Sequence, residues 1–248
     1  MIIGRDRIHF VTIGSTNDEV LARAKQGAVE GLVVTAEEQT AGRGRRGRAW
    51  VSPAGMGLHC SVLLRPPQAL KLAPHVTMLA ALAGVETART VGITARVKWP
   101  NDMVVDGRKL GGVLTEVARS PGQPSALVVG IGINVNHLEA DLPPELRVPA
   151  TSLRMESGRE QAVSVVIGAL LCALDRRYRH LLEDGPAEVL EEFRRLEVTL
   201  RKHVQVFVGE EVVEGEAECI DETGALGVRT WDRSLRLFVA GEVTVRPK

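Results

Sequence analysis

Gly42-Arg43-Gly44-Arg45-Arg46-Gly47-Arg48 sets four arginines and three glycines in seven positions, with Trp50 just beyond. Glycines let a backbone curl and turn its N–H groups inward. Arginines present forked donors matched to phosphate and carboxylate oxygens. Such a loop can close over a polyanion and neutralise it. It follows a β-branched run at residues 32–36 and the polar step Glu37-Glu38-Gln39, so it hangs from the end of a predicted strand. Ligand sites commonly lie beyond strand ends.

Upstream, a predicted strand at residues 8–13 leads into Gly14-Ser15-Thr16-Asn17, after which Val20, Leu21 and Ala24 recur at helical spacing. The triplet reads either as a helix cap or as three small polar groups facing a pocket. Downstream, a strand at 58–64 closes on Arg65-Pro66-Pro67, and an Ala-rich helix is predicted over 73–91. Residues 94–99 read as a strand interrupted by Pro100-Asn101-Asp102; 103–105 resume it, Asp106-Gly107 turns, and 109–117 returns. Residues 127–135 form a buried strand whose Gly130 and Gly132 permit close approach of a ligand or another backbone.

Pro143-Pro144 and Pro149 mark a loop, followed by predicted helices over 159–182 and 187–196 with Gly185-Pro186 between them. After about residue 200 the pattern changes to short strands at 204–208, 212–220, 225–230, 235–239 and 243–246. The order predicts an α+β domain over residues 1–200, a mixed β-sheet with flanking helices, and a small β-barrel over 201–248.

The 248 residues carry a formal net charge of +0, so the basic loop is a local feature and the chain is no bulk-electrostatic binder of nucleic acid. Aromatics are 3%, which leaves a core of Val, Leu, Ala and Ile. Cys60, Cys172 and Cys219 have neither disulfide nor zinc spacing. No signal peptide opens the chain and no apolar run approaches the ~20 residues of a membrane span. The expectation is a soluble, cytoplasmic protein.

Three features need one explanation: the Gly/Arg loop, Lys98-Trp99-Pro100-Asn101-Asp102 with Lys109 shortly after, and the glycine-bearing strand ending at Asn134. None is a phosphate loop with a Gly-Lys-Ser/Thr ending, and Gly130-Ile131-Gly132 lacks the third glycine of a dinucleotide fingerprint. No Ser/His/Asp arrangement appears. Arginines, lysines and small polar groups favour electrostatic stabilisation of phosphoryl or adenylyl transfer.

Gln39-Thr40-Ala41-Gly42-Arg43-Gly44-Arg45-Arg46-Gly47-Arg48-Ala49-Trp50 closely resembles the signature loop of biotin–protein ligases. Lys98-Trp99-Pro100-Asn101-Asp102, followed by Gly107-Arg108-Lys109-Leu110-Gly111-Gly112, resembles the second motif of that family. Ser15-Thr16-Asn17, Gly130-Ile131-Gly132-Ile133-Asn134 and Ala150-Thr151-Ser152-Leu153 follow the family's order. The resemblance runs from His9 to Pro247. It implies a class II synthetase-like catalytic domain, an SH3-like C-terminal barrel, and a two-step reaction. Biotin and ATP give biotinyl-5′-adenylate and pyrophosphate, and the biotinyl group then passes to one lysine of a biotin carboxyl carrier protein.

Carried onto this sequence, the resemblance makes Lys109 the central cation bridging the biotin carboxylate and α-phosphate, with Arg45 as the second catalytic residue. Ser15, Thr16, Asn17, Gln39, Arg43, Gly44, Arg45, Lys109, Gly111 and Gly112 are the implied biotin side. Arg43, Arg45, Arg48, Trp50, Asn101, Lys109 and Asn134 are the implied ATP side. Mg²⁺ is expected with ATP; its ligands are unassigned. Asp102 reads as a turn-forming carboxylate and Glu116 as lying on a solvated or structural face. Four like charges among glycines are expected to leave the loop mobile until an anion arrives.

The strand leading to Ser15 begins within ten residues of Met1, so the DNA-binding domain of the repressor-type relatives is not expected here, nor a role as a transcriptional repressor. No DNA or membrane partner is expected, and the chain is expected to be a monomer or homodimer. The carrier domain of acetyl-CoA carboxylase is the default acceptor. A lipoate- or octanoate-transferring enzyme of the same superfamily is the nearest rival. An RNA-binding module using the Gly/Arg loop and a non-catalytic biotin sensor are rivals of other classes.

Overall fold

The computed structural model describes residues 1–51, 53–119, 125–142 and 148–245. Pro143, Pro144 and the Arg246 end of the last predicted strand lie outside them. Strand β1 (Arg7–Ile13), helix α1 (Thr16–Lys25) and strand β2 (Val33–Gln39) form a parallel crossover unit. Strand β3 (Gly57–Leu64), helix α2 (Ala69–Arg89) and strands β4 (Arg96–Lys98), β5 (Asp102–Val105), β6 (Arg108–Ala118) and β7 (Ala126–Asn134) follow. They complete a mixed seven-stranded sheet in the order β1-β2-β3-β7-β6-β5-β4. Helices α3 (Leu153–Ser157), α4 (Val163–Asp184) and α5 (Ala187–Leu196) lead to the second unit. This is an antiparallel sheet of β8 (His203–Val208), β9 (Glu211–Ile220), β10 (Leu226–Arg229), β11 (Leu235–Phe238) and β12 (Glu242–Val245), ordered β11-β10-β9-β8-β12.

Side chains alternate across a strand, and the two faces of the main sheet have different fates. Leu58, Cys60, Val62 and Leu64 of β3 share one core with Leu127, Val129, Ile131 and Ile133 of β7, under α2, α4 and α5. The opposite register carries Leu63 and Val128 into a smaller core beneath Val20 and Ala24 of α1. That helix covers only part of its face. The rest presents His59 from β3 and Gly130, Gly132 and Asn134 from β7 to a cleft, with Ser61 buried behind Thr16 and Asn17.

Two predicted boundaries move for local reasons. The helix expected from Ala73 starts at Ala69, which leaves Pro74 inside it. The helix expected over 159–182 begins at Val163, because Gly158 at φ 71° ends α3 in the left-handed conformation that glycine tolerates. Among the described residues no helix is long and apolar enough to cross a membrane.

Candidate active site

The cleft holds about 410 Å³ and takes its walls from both units. Its floor is a ladder of rows fixed by strand register, about 7 Å apart because two residues separate them. Ser61 and Leu114 flank Gly130 in the first row. His59 and Gly112 flank Gly132 in the second, with Asp102 opposite Gly112. Gly57 lies opposite Asn134 in the third.

The first row ends in neutral polar groups. Gln39 Oε1 accepts from the Thr16 backbone N–H at 2.8 Å and from Thr16 Oγ1 at 3.0 Å. Ser61 Oγ lies 2.7 Å from Thr16 Oγ1 and 2.6 Å from Asn17 Oδ1. Asn17 Nδ2 donates to Glu116 Oε2 at 2.7 Å. A Cβ on Gly130 would sit 2.2 Å from Asn17 Oδ1, so only glycine admits this packing. Ser15 occupies the N-cap position of α1, but its side chain makes no capping bond. Its triplet therefore lines a pocket as well as starting a helix.

The second row carries charge. Lys109 Nζ donates to Asp102 Oδ1 at 2.7 Å and stands 5.8 Å from the Trp50 ring centroid. A Cβ on Gly132 would meet the Trp50 indole at 2.7 Å, so the ring rests on bare backbone. The lining contains six cations, Arg43, Arg45, Arg46, Arg48, Lys98 and Lys109, against the two carboxylates Asp102 and Glu242. That excess prepares the cleft for a polyanion. Burial lowers the pKa values of Arg45 and Lys98, each partly opposed by the nearby Asp102 carboxylate.

The Gly/Arg loop is docked on its surroundings. Arg43 makes a fork to Asp18 at 2.6 and 2.5 Å, with Glu116 at 3.9 Å. The hydrogen bond to Asp18 raises the guanidinium pKa and holds the Asp18 carboxyl below its usual range. Arg45 Nη1 donates to Asn101 Oδ1 at 3.2 Å and to Gly241 O at 3.3 Å. Arg46 donates to Phe207 O at 2.5 Å, and Arg48 pairs with Glu242. Three of the loop's four arginines thus reach the C-terminal sheet or its connections.

The Lys98–Asp102 segment is fixed from below. The Trp99 backbone N–H donates to Glu197 Oε1 at 3.0 Å, and Trp99 Nε1 donates to Gly224 O at 3.0 Å. Asn101 Nδ2 donates to Val113 O at 2.7 Å. The Lys109 backbone exchanges hydrogen bonds with Pro149 and Thr151, while Asn134 Nδ2 donates to Thr151 O at 2.9 Å.

Residues 10–134 match the Biotin/lipoate A/B protein ligase family, and residues 199–246 match the Biotin protein ligase C terminal domain. The Biotin–[acetyl-CoA-carboxylase] ligase of Mycobacterium tuberculosis is 36% identical, over 93% of this chain and 85% of that one. The chain belongs to the biotin protein ligase family. The ligase is also 36% identical to the bifunctional ligase/repressor BirA of Bacillus spizizenii, over 96% of this chain and 74% of that one. A biotin protein ligase from Aquifex aeolicus, solved in complex with biotin and ATP, superposes with a TM-score of 0.84 at 27% identity, over 99% of this chain and 100% of that one.

In this ligase Ser15, Thr16, Asn17, Gln39, Arg43, Gly44, Arg45, Arg48, Trp50, Asn101, Lys109, Gly112 and Asn134 all line the one cleft. Gly111 does not: the site of its absent side chain faces Gly132 O at 2.5 Å and Met103 Cε at 2.8 Å. Strand alternation turns Gly112 to the cleft and Gly111 away from it. Glu116 lies outside the lining, where its carboxylate accepts from Asn17 Nδ2 and neighbours Arg43. Asp102 does more than form a turn, because it holds the Lys109 ammonium.

Ser61, His59 and His137 also line or brace the cleft and carried no functional expectation. His59 and Ser61 had a readable signal: polar residues at period two inside the apolar run Leu58-His59-Cys60-Ser61-Val62. His137, Asp18 and Glu242 had none, since their places depend on how loops and the second unit dock.

Proposed function

We propose that this ligase activates biotin with ATP and passes the biotinyl group to a lysine of a biotin carboxyl carrier protein, the carrier domain of acetyl-CoA carboxylase being the acceptor. One observation carries the reading. A single cleft joins a closed end of neutral hydrogen-bonding groups to a cation-rich end, and Lys109 stands between them.

The ureido ring of biotin has two N–H donors and one carbonyl acceptor. The Ser15–Asn17 triplet and Gln39 offer matching groups, with Ser61 bracing Thr16 and Asn17 from behind, and leaving such a ring unpaired in a buried pocket would be costly. The dithiolane of lipoate has no such needs, which favours biotin. The valeryl carboxylate then points along the floor toward Lys109 and Arg45. In the first step a carboxylate oxygen attacks the α-phosphorus, the bond to the β-bridging oxygen breaks, and pyrophosphate leaves. Two anions must approach, so Lys109 lowers the barrier as a fixed positive charge between them. Arg45 and Arg48, with Arg43 at the biotin side, neutralise the phosphates; Trp50, Asn101 and Asn134 border the nucleoside.

In the second step a carrier lysine amine attacks the biotinyl carbonyl carbon. The mixed anhydride breaks, AMP departs, and the amine's proton is lost to solvent. The same cations stabilise the departing phosphate. Mg²⁺ is expected as the companion of ATP. Among the described residues no group of three or more His, Cys, Asp or Glu could hold a metal. Asp102 and Glu242 are the two carboxylates of the lining, a donor set that fits an ion held mainly by phosphates and water.

The test is biotin-dependent exchange of labelled pyrophosphate into ATP, with lipoate and octanoate as controls. Exchange with biotin alone is expected. Exchange with lipoate instead would keep the chemistry and change the substrate, and no exchange with any acid would sink the reading.

A further inference from the structure

The second unit ends in an open sheet edge that carries an apolar stripe. Strand β11 is the outermost strand of its sheet, and among the described residues no strand pairs with its far side. Trp231 is 77% exposed, Leu237 56% and Val239 81%, with Leu235 exposed beside them. Large apolar side chains gathered on one patch of surface mark an interaction site. Leu235, Leu237 and Cys219 share one face, since a Cβ on Gly227 would meet all three within 3.5 Å. Trp231 joins that face. Its ring stacks on His203 at 5.3 Å, and His203 lies in one row with Glu216, Arg229 and Leu235. Phe238, on the other face, is buried in the core.

The hairpin fixes which backbone groups of β11 are open. The Thr230 N–H donates to Ser234 O at 3.0 Å, and Arg229 stands opposite Leu235 in the same register. Bonded and non-bonded pairs alternate in an antiparallel ladder. Arg236 and Phe238 therefore bond to β10, while the N–H and C=O groups of Leu235 and Leu237 point outward. The residues with bare side chains are the ones with bare backbone. Edge strands are normally guarded by lysine, proline or a bulge. Leu235-Arg236-Leu237-Phe238-Val239 has no lysine or proline, and its register against β10 is unbroken.

Charge and register select the occupant. Two identical surfaces repel unless each is already balanced. Arg229 forks onto Glu218 at 2.7 Å, and Arg236 Nη1 donates to Glu211 at 2.6 Å, so both arginines bordering the stripe are neutralised within the chain. The stripe is also its own complement. Antiparallel pairing about a two-fold axis at Leu237 sets Leu237 against Leu237 and Leu235 against Val239, an isologous contact. With Trp231 it covers roughly 500 Å² per copy and about 1,000 Å² in all, enough for a weak, exchanging dimer.

We propose that β11 is the docking edge for a second copy of this chain, the two C-terminal sheets joining edge to edge. The proposal is independent of the ligase reading. Strand β11 leads within three residues to Gly241, whose carbonyl accepts from Arg45, so the junction abuts the connection on which the Gly/Arg loop rests.

Sedimentation equilibrium of the full chain from about 1 to 200 µM tests it. Wild-type protein is expected to pass from monomer to dimer in that range. Leu237→Lys sets two like charges face to face and should raise the dissociation constant about tenfold or more. Val11→Lys, on the exposed outer strand β1 of the main sheet, should leave it unchanged. A monomer throughout, a dimer that survives Leu237→Lys, or one lost only with Val11→Lys would overturn the proposal. If Leu237→Lys fails to fold, amide hydrogen exchange in wild-type protein decides. The Leu235 and Leu237 amides should slow as concentration rises, while those of Arg236 and Phe238, already bonded to β10, stay constant. Exchange that ignores concentration refutes the pairing. Slowing only when a carrier protein is added would give the edge to the acceptor and likewise refute a second copy.

Discussion

The Lys109 ammonium and the Asp102 carboxylate meet at 2.7 Å across the β5–β6 hairpin, where Asp102 pairs in register with Gly112. A Cβ on Gly112 would lie 3.1 Å from Asp102 Oδ1 and 3.5 Å from Lys109 Nζ, so the ion pair lies over bare backbone at the middle of the cleft. Lys109→Met keeps most of the stem and removes the charge. It is expected to cut adenylate formation by about three orders of magnitude, typical of losing a preorganised charge at the reacting centre. Asp102→Asn should lower kcat by about tenfold with little change in the biotin KM, because it positions the ammonium. Asp102→Glu should recover part of the loss. Near-normal turnover in Lys109→Met, measured as pyrophosphate release, would remove Lys109 from its role.

Gly130 and Gly132 separate the two halves of the site. A methyl at Gly130 collides with Asn17 and one at Gly132 collides with the Trp50 indole, both below 3.0 Å. Gly130→Ala is expected to raise the biotin KM about tenfold or more and leave that of ATP nearly unchanged. Gly132→Ala should do the reverse, since one displaced hydrogen-bonding or stacking group is worth about 1 kcal/mol or more. Steady-state kinetics on both variants checks the pattern. Equal effects on both substrates would show that the ladder does not divide the ligands in this way.

Arg45 and Arg48 tie the Gly/Arg loop to Asn101, Gly241 and Glu242. The loop and the connection between β11 and β12 are thereby expected to act as one lid over the cleft. Arg45→Gly and Glu242→Gln should both loosen retention of the adenylate, and the leaked acyl phosphate should label bystander lysines. Blotting for biotin on an added non-carrier protein measures it. Stronger labelling in Arg45→Gly is expected, because that change removes two contacts and a phosphate ligand together. If neither variant raises bystander labelling, the loop and the C-terminal unit do not act as one lid.

Much of this architecture was legible in the chain. The strands at 8–13, 58–64 and 127–135 and the helix at 187–196 could be read because alternation, β-branching and Gly/Pro punctuation are local. Local signals do not place one loop against another. Nothing near Glu116 announces that β6 brings it to Asn17, a residue 99 positions away. Likewise, sequence spacing shows two adjacent glycines at 111 and 112, while the pairing of β6 with β7 decides which one faces the ligand. The expectation of a loop left mobile by its four like charges did not count Asp18 and Glu242, whose carboxylates meet Arg43 and Arg48 only through tertiary docking.

The buried histidines also give stability a pH dependence of definite sign. His59 takes its proton near 4 in the folded protein, against an ordinary value of 6.5, because burial and the neighbouring His137 disfavour the charge. The unfolded chain therefore binds more protons than the folded one between these values. Stability is full above pH 6.5, falls as pH drops, and levels off below about 4, for a total of about 3 kcal/mol from this residue. His137, also lowered, adds in the same direction. Asp18 acts lower: its depressed carboxyl stabilises the fold above its ordinary 3.8 and loses that effect only in stronger acid. Urea midpoints of wild-type protein should thus decline steadily from pH 7 to 4.5, and those of His59→Phe should decline less steeply, since one of the two lowered imidazoles is gone. Parallel declines in the two proteins would mean that His59 is protonated in the fold and that its corner of the cleft is wet.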